Sequence, residues 1–130
     1  MTLAQLCLLV ACLLPVGCAA LAKSKGFGRR RSEGGFDNHQ PREWLARQQG
    51  WQARANAAQA NGWEALPLFL AGLFVAHQHQ AGQAVVDGLA LGFIAARLTY
   101  IGLYLTNQAS LRSLAWTAGV GCCVALFVVR

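Results

Sequence analysis

Acidic side chains are almost missing from this sequence: Glu33, Asp37, Glu43, Glu64 and Asp87 are the only 5 in 130 residues. With 11 Lys and Arg the charged fraction reaches 12%, about half of what a water-facing domain ordinarily carries. A freely soluble globule is thereby excluded. Cysteine is present but in no ligating pattern. Cys7, Cys12, Cys18, Cys122 and Cys123 contain no CxxC pair and all lie in apolar stretches, which excludes a disulfide framework and a zinc knuckle and leaves packed thiols. His77 and His79 stand two residues apart, so they point to different sides of a helix, and no metal site is expected from them.

What is abundant is apolar length, with 55% hydrophobic residues and a mean hydropathy of +0.37. A spanning helix needs about 20 mostly apolar residues. The stretch 3–22 meets that length without an ionised side chain, and because no Lys or Arg precedes it we read a retained span rather than a secretion signal. Further spans are expected at about 86–106 and 112–129. The second one decides the architecture. Its cleanly apolar part, 65–76, covers only about 18 Å at 1.5 Å per residue, so the helix has to begin near residue 55 and take Asn61 and Glu64 to membrane depth. Polar groups there are expected to face inward.

Eight of the 11 basic residues, Lys23, Lys25, Arg29, Arg30, Arg31, Arg42, Arg47 and Arg54, lie in or at the end of the connection 23–54, and Arg112 lies in the last one. Basic connections stay cytoplasmic. The fold class expected is thus an all-α integral membrane protein, one domain over 1–130, with spans at about 3–22, 55–77, 86–106 and 112–129 and both termini non-cytoplasmic. The first half of the 23–54 connection, Gly-rich and basic, reads as a flexible strap beside anionic membrane lipids. The Arg29–Arg31 run is topogenic on this reading, with no nucleic-acid partner. From Pro41 a short interfacial helix is expected, with Trp44 and Trp51 at headgroup level. Gly88, Gly92 and Ala96 make a small-residue ridge for close helix packing and subunit contact, and Pro67 should kink the second span.

Three polar sets share the cytoplasmic depth. Arg54 and Asn61 lie on one face of the second span with Glu64 about 60° away. Arg97, Tyr100 and Tyr104 follow i, i+3, i+7 on the third. Arg112 and Ser113 open the fourth, with Trp116 one turn on. A buried Glu must be paired or protonated, and Arg54, Arg97 and Arg112 are the cations at hand. Two readings stay open: an ion pair that only specifies helix packing, or a cationic pocket open to the cytoplasm that takes a small amphiphilic anion.

The run RANAAQANGWEALPLF from Arg54 to Phe69, RLTYIGLYL from Arg97 and LRSLAW from Leu111 resemble the MAPEG family, membrane-associated proteins in eicosanoid and glutathione metabolism. The similarity covers about residues 36–129 and is closest to bacterial members, which share a connection like FDNHQPREWLARQQGW. It implies a homotrimer in the bacterial inner membrane with glutathione as cofactor, held between protomers on the cytoplasmic side. By that resemblance Asn61, Glu64, Arg97, Tyr100 and Tyr104 hold glutathione, assisted by Arg54, while Arg112 with Ser113 stabilises its thiolate for attack on a hydrophobic small-molecule electrophile, as in a transferase or peroxidase. The chain departs from the family at Ala57, where active members commonly carry an arginine, and at Trp116, where tyrosine is frequent. Two other functions remain in view. One is a non-catalytic binder of lipid or anionic amphiphile. The other is a small proton-coupled exporter, against which stand the arginines that outnumber Glu64 and would repel a cation.

Overall fold

Small residues recur every third or fourth position in the first helix, α1 (Leu3–Lys23), and these are the ones it buries: Ala4, Cys7, Ala11, Pro15, Cys18 and Ala22. In the computed structural model, which describes residues 1–130, this stripe packs against α3 (Trp51–Gln78) and α4 (Gln83–Leu105). A six-residue α2 (Pro41–Ala46) precedes α3, and α5 (Ala109–Val128) completes an all-helical bundle. The approach of α1 to α3 is close at one point. Pro15 is fully buried against Gly62, where a Cβ would lie 2.7 Å from the proline ring. The main core contains Phe69 stacked on Phe93 at 4.0 Å between ring centres, with Leu126 of α5 fully buried beside them. The five cysteines are free thiols, with Cys7, Cys18 and Cys123 buried.

Three helices are long and apolar enough to cross a membrane: α1 with the turn that follows it, α4 and α5, at mean hydropathies of 2.2, 1.6 and 1.6. The third helix is not among them, although its 28 residues reach about 42 Å. Its first half carries Gln52, Arg54, Asn56, Gln59, Asn61 and Glu64. Two of these close the ends of neighbouring helices. Gln52 Nε2 donates to Ala22 O at 3.1 Å, and Arg54 donates through Nε and Nη2 to Leu105 O at 3.1 and 3.0 Å. The last carbonyls of a helix have no partner of their own, and a cation there also opposes the negative end of the helix dipole. The helix runs unbroken through the exposed Pro67.

The opposite end of the bundle is tied in the same manner. Thr2 and Gln5 form a capping box at the start of α1, and Asp87 of α4 accepts from Ala4 N at 2.8 Å. One carboxylate thus binds α4 to the positive end of α1. Asp87→Ala should cost about 1 kcal/mol in thermal or denaturant unfolding, in the range of a lost N-cap, and Asp87→Asn should recover part of it. Equal stability of all three proteins would exclude a role for this tie.

The connection 23–50 is folded, contrary to the strap expected from its glycines. Phe36 lies edge-on to both Phe27 (5.7 Å) and Trp44 (5.3 Å), with the Lys23 ammonium 5.0 Å above its ring. Trp44 is buried with Leu45, Ala22 and Ala55. Its Nε1–H donates to Gly34 O at 3.3 Å. Gly26 makes room for that ring, since a Cβ would come within 2.5 Å of it, and Gly35 lies directly on the Arg29 carbonyl. These two glycines are here because side chains would collide. Asp37, which accepts from His39 N and pairs with Arg31 at 3.1 Å, has its carboxyl held below the usual range, mainly by that backbone N–H. Its contribution is present at neutral pH and is lost only as the pH falls through that lowered value. Gly35→Ala should open the loop without unfolding the helices. The check is limited trypsin digestion, with cleavage at Arg29–Arg31 expected to accelerate at least tenfold; unchanged cleavage would contradict it.

Candidate functional site

The i, i+3, i+7 spacing on α4 brings its polar residues to the seam with α3 and α5. Arg97 and Tyr100 are buried, each 5% exposed, and Tyr104 is half-buried. The Arg97 guanidinium lies 4.4 Å above the Tyr100 ring, Tyr100 meets Tyr104 edge-on at 5.5 Å, and the Arg112 guanidinium lies 4.2 Å above the Tyr104 ring. A ladder of cation, ring, ring and cation results. Ring faces stabilise cations that have left water by about 1 to 2 kcal/mol each.

From α3, Asn61 completes this arrangement. Its Oδ1 accepts from Arg97 Nη1 at 2.8 Å, and its Nδ2 donates to Glu64 Oε2 at 3.3 Å. The ion pair of Arg31 with Asp37 is the single one in the chain, so neither Arg97 nor Arg112 has a carboxylate partner. Arg97 and Arg112 thus carry charges without internal compensation, Arg112 on the groove beside α5 and Arg97 on the adjoining cavity. The groove encloses about 400 Å³ and is lined by Asn61, Tyr100, Tyr104, Arg112, Ser113 and Trp116 among others. Ser113 Oγ–H donates to Ala109 O at 3.2 Å, one turn back, which leaves the oxygen free to accept.

Of the residues expected here, Asn61, Glu64, Arg97, Tyr100, Tyr104, Arg112 and Ser113 converge. Arg54 does not, because its guanidinium is bound to Leu105 O at the end of α4. Glu64 differs from expectation in its surroundings. It is exposed on the flank of the protomer, as is its neighbour Trp63, and meets no arginine. The packing ion pair is thus absent within the chain, since the 60° between Glu64 and Asn61 turns the carboxylate out of the α3–α4 seam.

A family model for the MAPEG family matches residues 2–129. The chain belongs to the MAPEG family. No curated protein and no solved structure matches it significantly. As a MAPEG protein with three helices apolar enough to span, it is an integral membrane protein. The ridge on α4 packs partly as expected: Gly92 lets Cys122 Sγ approach to 3.1 Å of its Cβ position, and Ala96 abuts Gly119, but nothing lies near Gly88. Phe93, Val120 and Cys123, which line a cavity behind the groove, carried no sign of this in the sequence. Apolar residues of a membrane helix look alike whether they face a core, a lipid or a hole.

Proposed function

We propose that this MAPEG protein binds glutathione in the groove beside Asn61 and Arg112 and uses it as a thiolate nucleophile against hydrophobic electrophiles. The observation that carries this is the pair of guanidinium groups without carboxylate partners, Arg112 on the groove and Arg97 on the adjoining cavity that Glu64 also lines, with Asn61 common to both. Glutathione offers two carboxylates to the guanidinium groups and an ammonium to Glu64, and tyrosine hydroxyls can orient its arms. In the reaction the thiolate sulfur forms a bond to an electrophilic carbon, the bond to the leaving group breaks and that group departs with the electron pair. The thiol proton goes to water.

The same reading makes the functional unit a homotrimer of four-span protomers in the bacterial inner membrane, both termini outside. A carboxylate exposed on the flank of a membrane helix is costly against lipid, and a second copy of the chain covering Glu64 and the open groove removes that cost. Arg54, Gln52 and Asn61, all hydrogen-bonded inside the protomer, fit a third helix that also crosses. The groove then opens to the cytoplasmic side, where the basic connection 23–54 lies.

Purified protein in nanodiscs should bind glutathione at millimolar concentration or below and develop thiolate absorbance in the ultraviolet. No binding at that concentration would overturn the proposal. Ala57 and the engagement of Arg54 elsewhere favour a second reading, in which the groove holds an anionic amphiphile without chemistry. Ligand occupancy with silence across a panel of electrophiles would identify it.

A further inference from the structure

At the end of the bundle opposite the groove, the start of α1, the last turns of α3 and the start of α4 enclose a cavity of about 360 Å³. That volume lies at the lower end of the range for small-molecule sites, about 300 to 1,000 Å³. Leu8, Leu70, Leu73 and Phe74 make it apolar toward the middle of the bundle, and Thr2, Gln5, Gln80 and Gln83 make it polar toward the helix ends. The polar groups are only partly used. In the capping box Gln5 Oε1 and Thr2 Oγ1 each accept a backbone N–H, which leaves the Gln5 amide and the Thr2 hydroxyl to donate. Gln83 gives Nε2 to Asp87 at 2.8 Å and keeps its oxygen to accept. Gln80 stands in a left-handed backbone conformation, φ 53°, where Gln80 N donates to His77 O and Ala81 N to Ala76 O, both at 3.0 Å. Glycine is the ordinary residue at such a helix end, having no Cβ to clash. A glutamine held there against that strain points to a use for its side chain.

We propose that this cavity binds a neutral single-chain amphiphile of the monoacylglycerol class, its chain on the leucines and its glycerol head among Gln5, Gln80 and Gln83. Charge excludes the anionic alternatives. No Lys, Arg, Asp or Glu lines the cavity, and His77 is the one titratable side chain on its wall. A carboxylate or phosphate that leaves water needs a cation, whereas Asp87 sets a negative charge behind Gln83 and Ala4. The mixture of free donors and a free acceptor matches hydroxyl and ester oxygens, while a quinone head would engage donors alone. A two-chain phospholipid exceeds the volume. The end of a membrane helix is the level at which polar heads meet apolar chains, so the ligand enters from the bilayer without leaving its own depth. The site shares no residue with the groove and stands whether or not glutathione binds there.

The test is photolabelling in phosphatidylcholine nanodiscs at pH 8, with a monoacylglycerol that carries a diazirine in mid-chain and adducts mapped by mass spectrometry. Label should concentrate on the segment 70–77 over the exposed Leu114 of α5. Unlabelled monoacylglycerol should displace it about tenfold better than the fatty acid or the lysophosphatidylglycerol of the same chain, the difference that one or two matched hydrogen bonds make. Gln80→Gly relieves the backbone and removes the amide. This variant should melt no lower than the wild type, yet its labelling at 70–77 should fall about tenfold. Leu8→Trp, which fills the apolar part, should lose the label as well. Labelling spread evenly over the lipid-facing residues of the wild type would overturn the site, and equal displacement by the anionic amphiphiles would overturn its neutral chemistry. Full labelling of Gln80→Gly would overturn the role given to the glutamine head. That result is independent of folding, because the variant places a glycine where the backbone favours one.

Discussion

Replacing Arg112 by alanine should lower glutathione-dependent turnover about 25-fold at pH 7 and move the rise of the pH–rate profile up by about two units. The guanidinium rests on the Tyr104 ring, and no carboxylate offsets its charge. An unassisted thiol with a pKa near 8.5 is about 3% ionised at pH 7, and a positive charge that lowers that value by about two units raises the ionised fraction to about three quarters, a stabilisation of roughly 2.7 kcal/mol. Lowering the thiol pKa favours the thiolate above the new value, so loss of the charge is felt most near neutrality. It fades above pH 9, where the thiol ionises unaided. Arg112→Lys should recover part of the loss, since charge is kept but the planar contact with the ring is not. Glutathione should still bind, because Arg97 and Asn61 remain. A profile that falls uniformly at every pH would point to a structural role for Arg112 and sink the thiolate assignment.

The ladder was legible in the sequence because both of its determinants are periodic. Arg97, Tyr100 and Tyr104 must share a face at any helical packing, and Arg112 follows after a turn too short to carry it away. The positions of Arg54 and Glu64 were not legible, for a reason that residue periodicity does not contain. Which partner a long side chain reaches depends on where the neighbouring helix ends, and α4 ends at Leu105 with a carbonyl in reach of Arg54. The exposure of Glu64 depends on how α3 is turned about its axis against α4, which periodicity along one helix does not contain. The basic connection misled in the opposite sense. Its glycines signal freedom when counted, whereas Gly26 and Gly35 lie under Trp44 and on the Arg29 backbone, contacts between segments that no local pattern joins. Asp87, at the edge of the span expected at 86–106, lies a full turn into α4 and caps a helix 83 residues away in sequence, a contact that no local pattern signals.

Asn61→Leu is expected to destabilise the protein by about 3 kcal/mol, on the order of 10 °C in thermal unfolding, as well as to abolish glutathione binding. Arg97 is 5% exposed, and Asn61 Oδ1 at 2.8 Å is its hydrogen-bond acceptor. Leucine keeps the branched outline of asparagine, with bulkier methyl groups, and removes that acceptor. The buried guanidinium then keeps the Tyr100 face but no hydrogen bond, and an unsatisfied buried charge costs more than a missing neutral bond. The double variant Asn61→Leu with Arg97→Leu should regain most of the stability, because removal of both partners leaves nothing unsatisfied, and an apolar pair suits the same space. That departure from additivity separates a polar network from two independent contacts. Binding should not return in the double variant, since the ligand would lose a cation and an acceptor together. Single and double variants of equal stability would show that Arg97 is solvated by other means and that Asn61 acts on ligand alone.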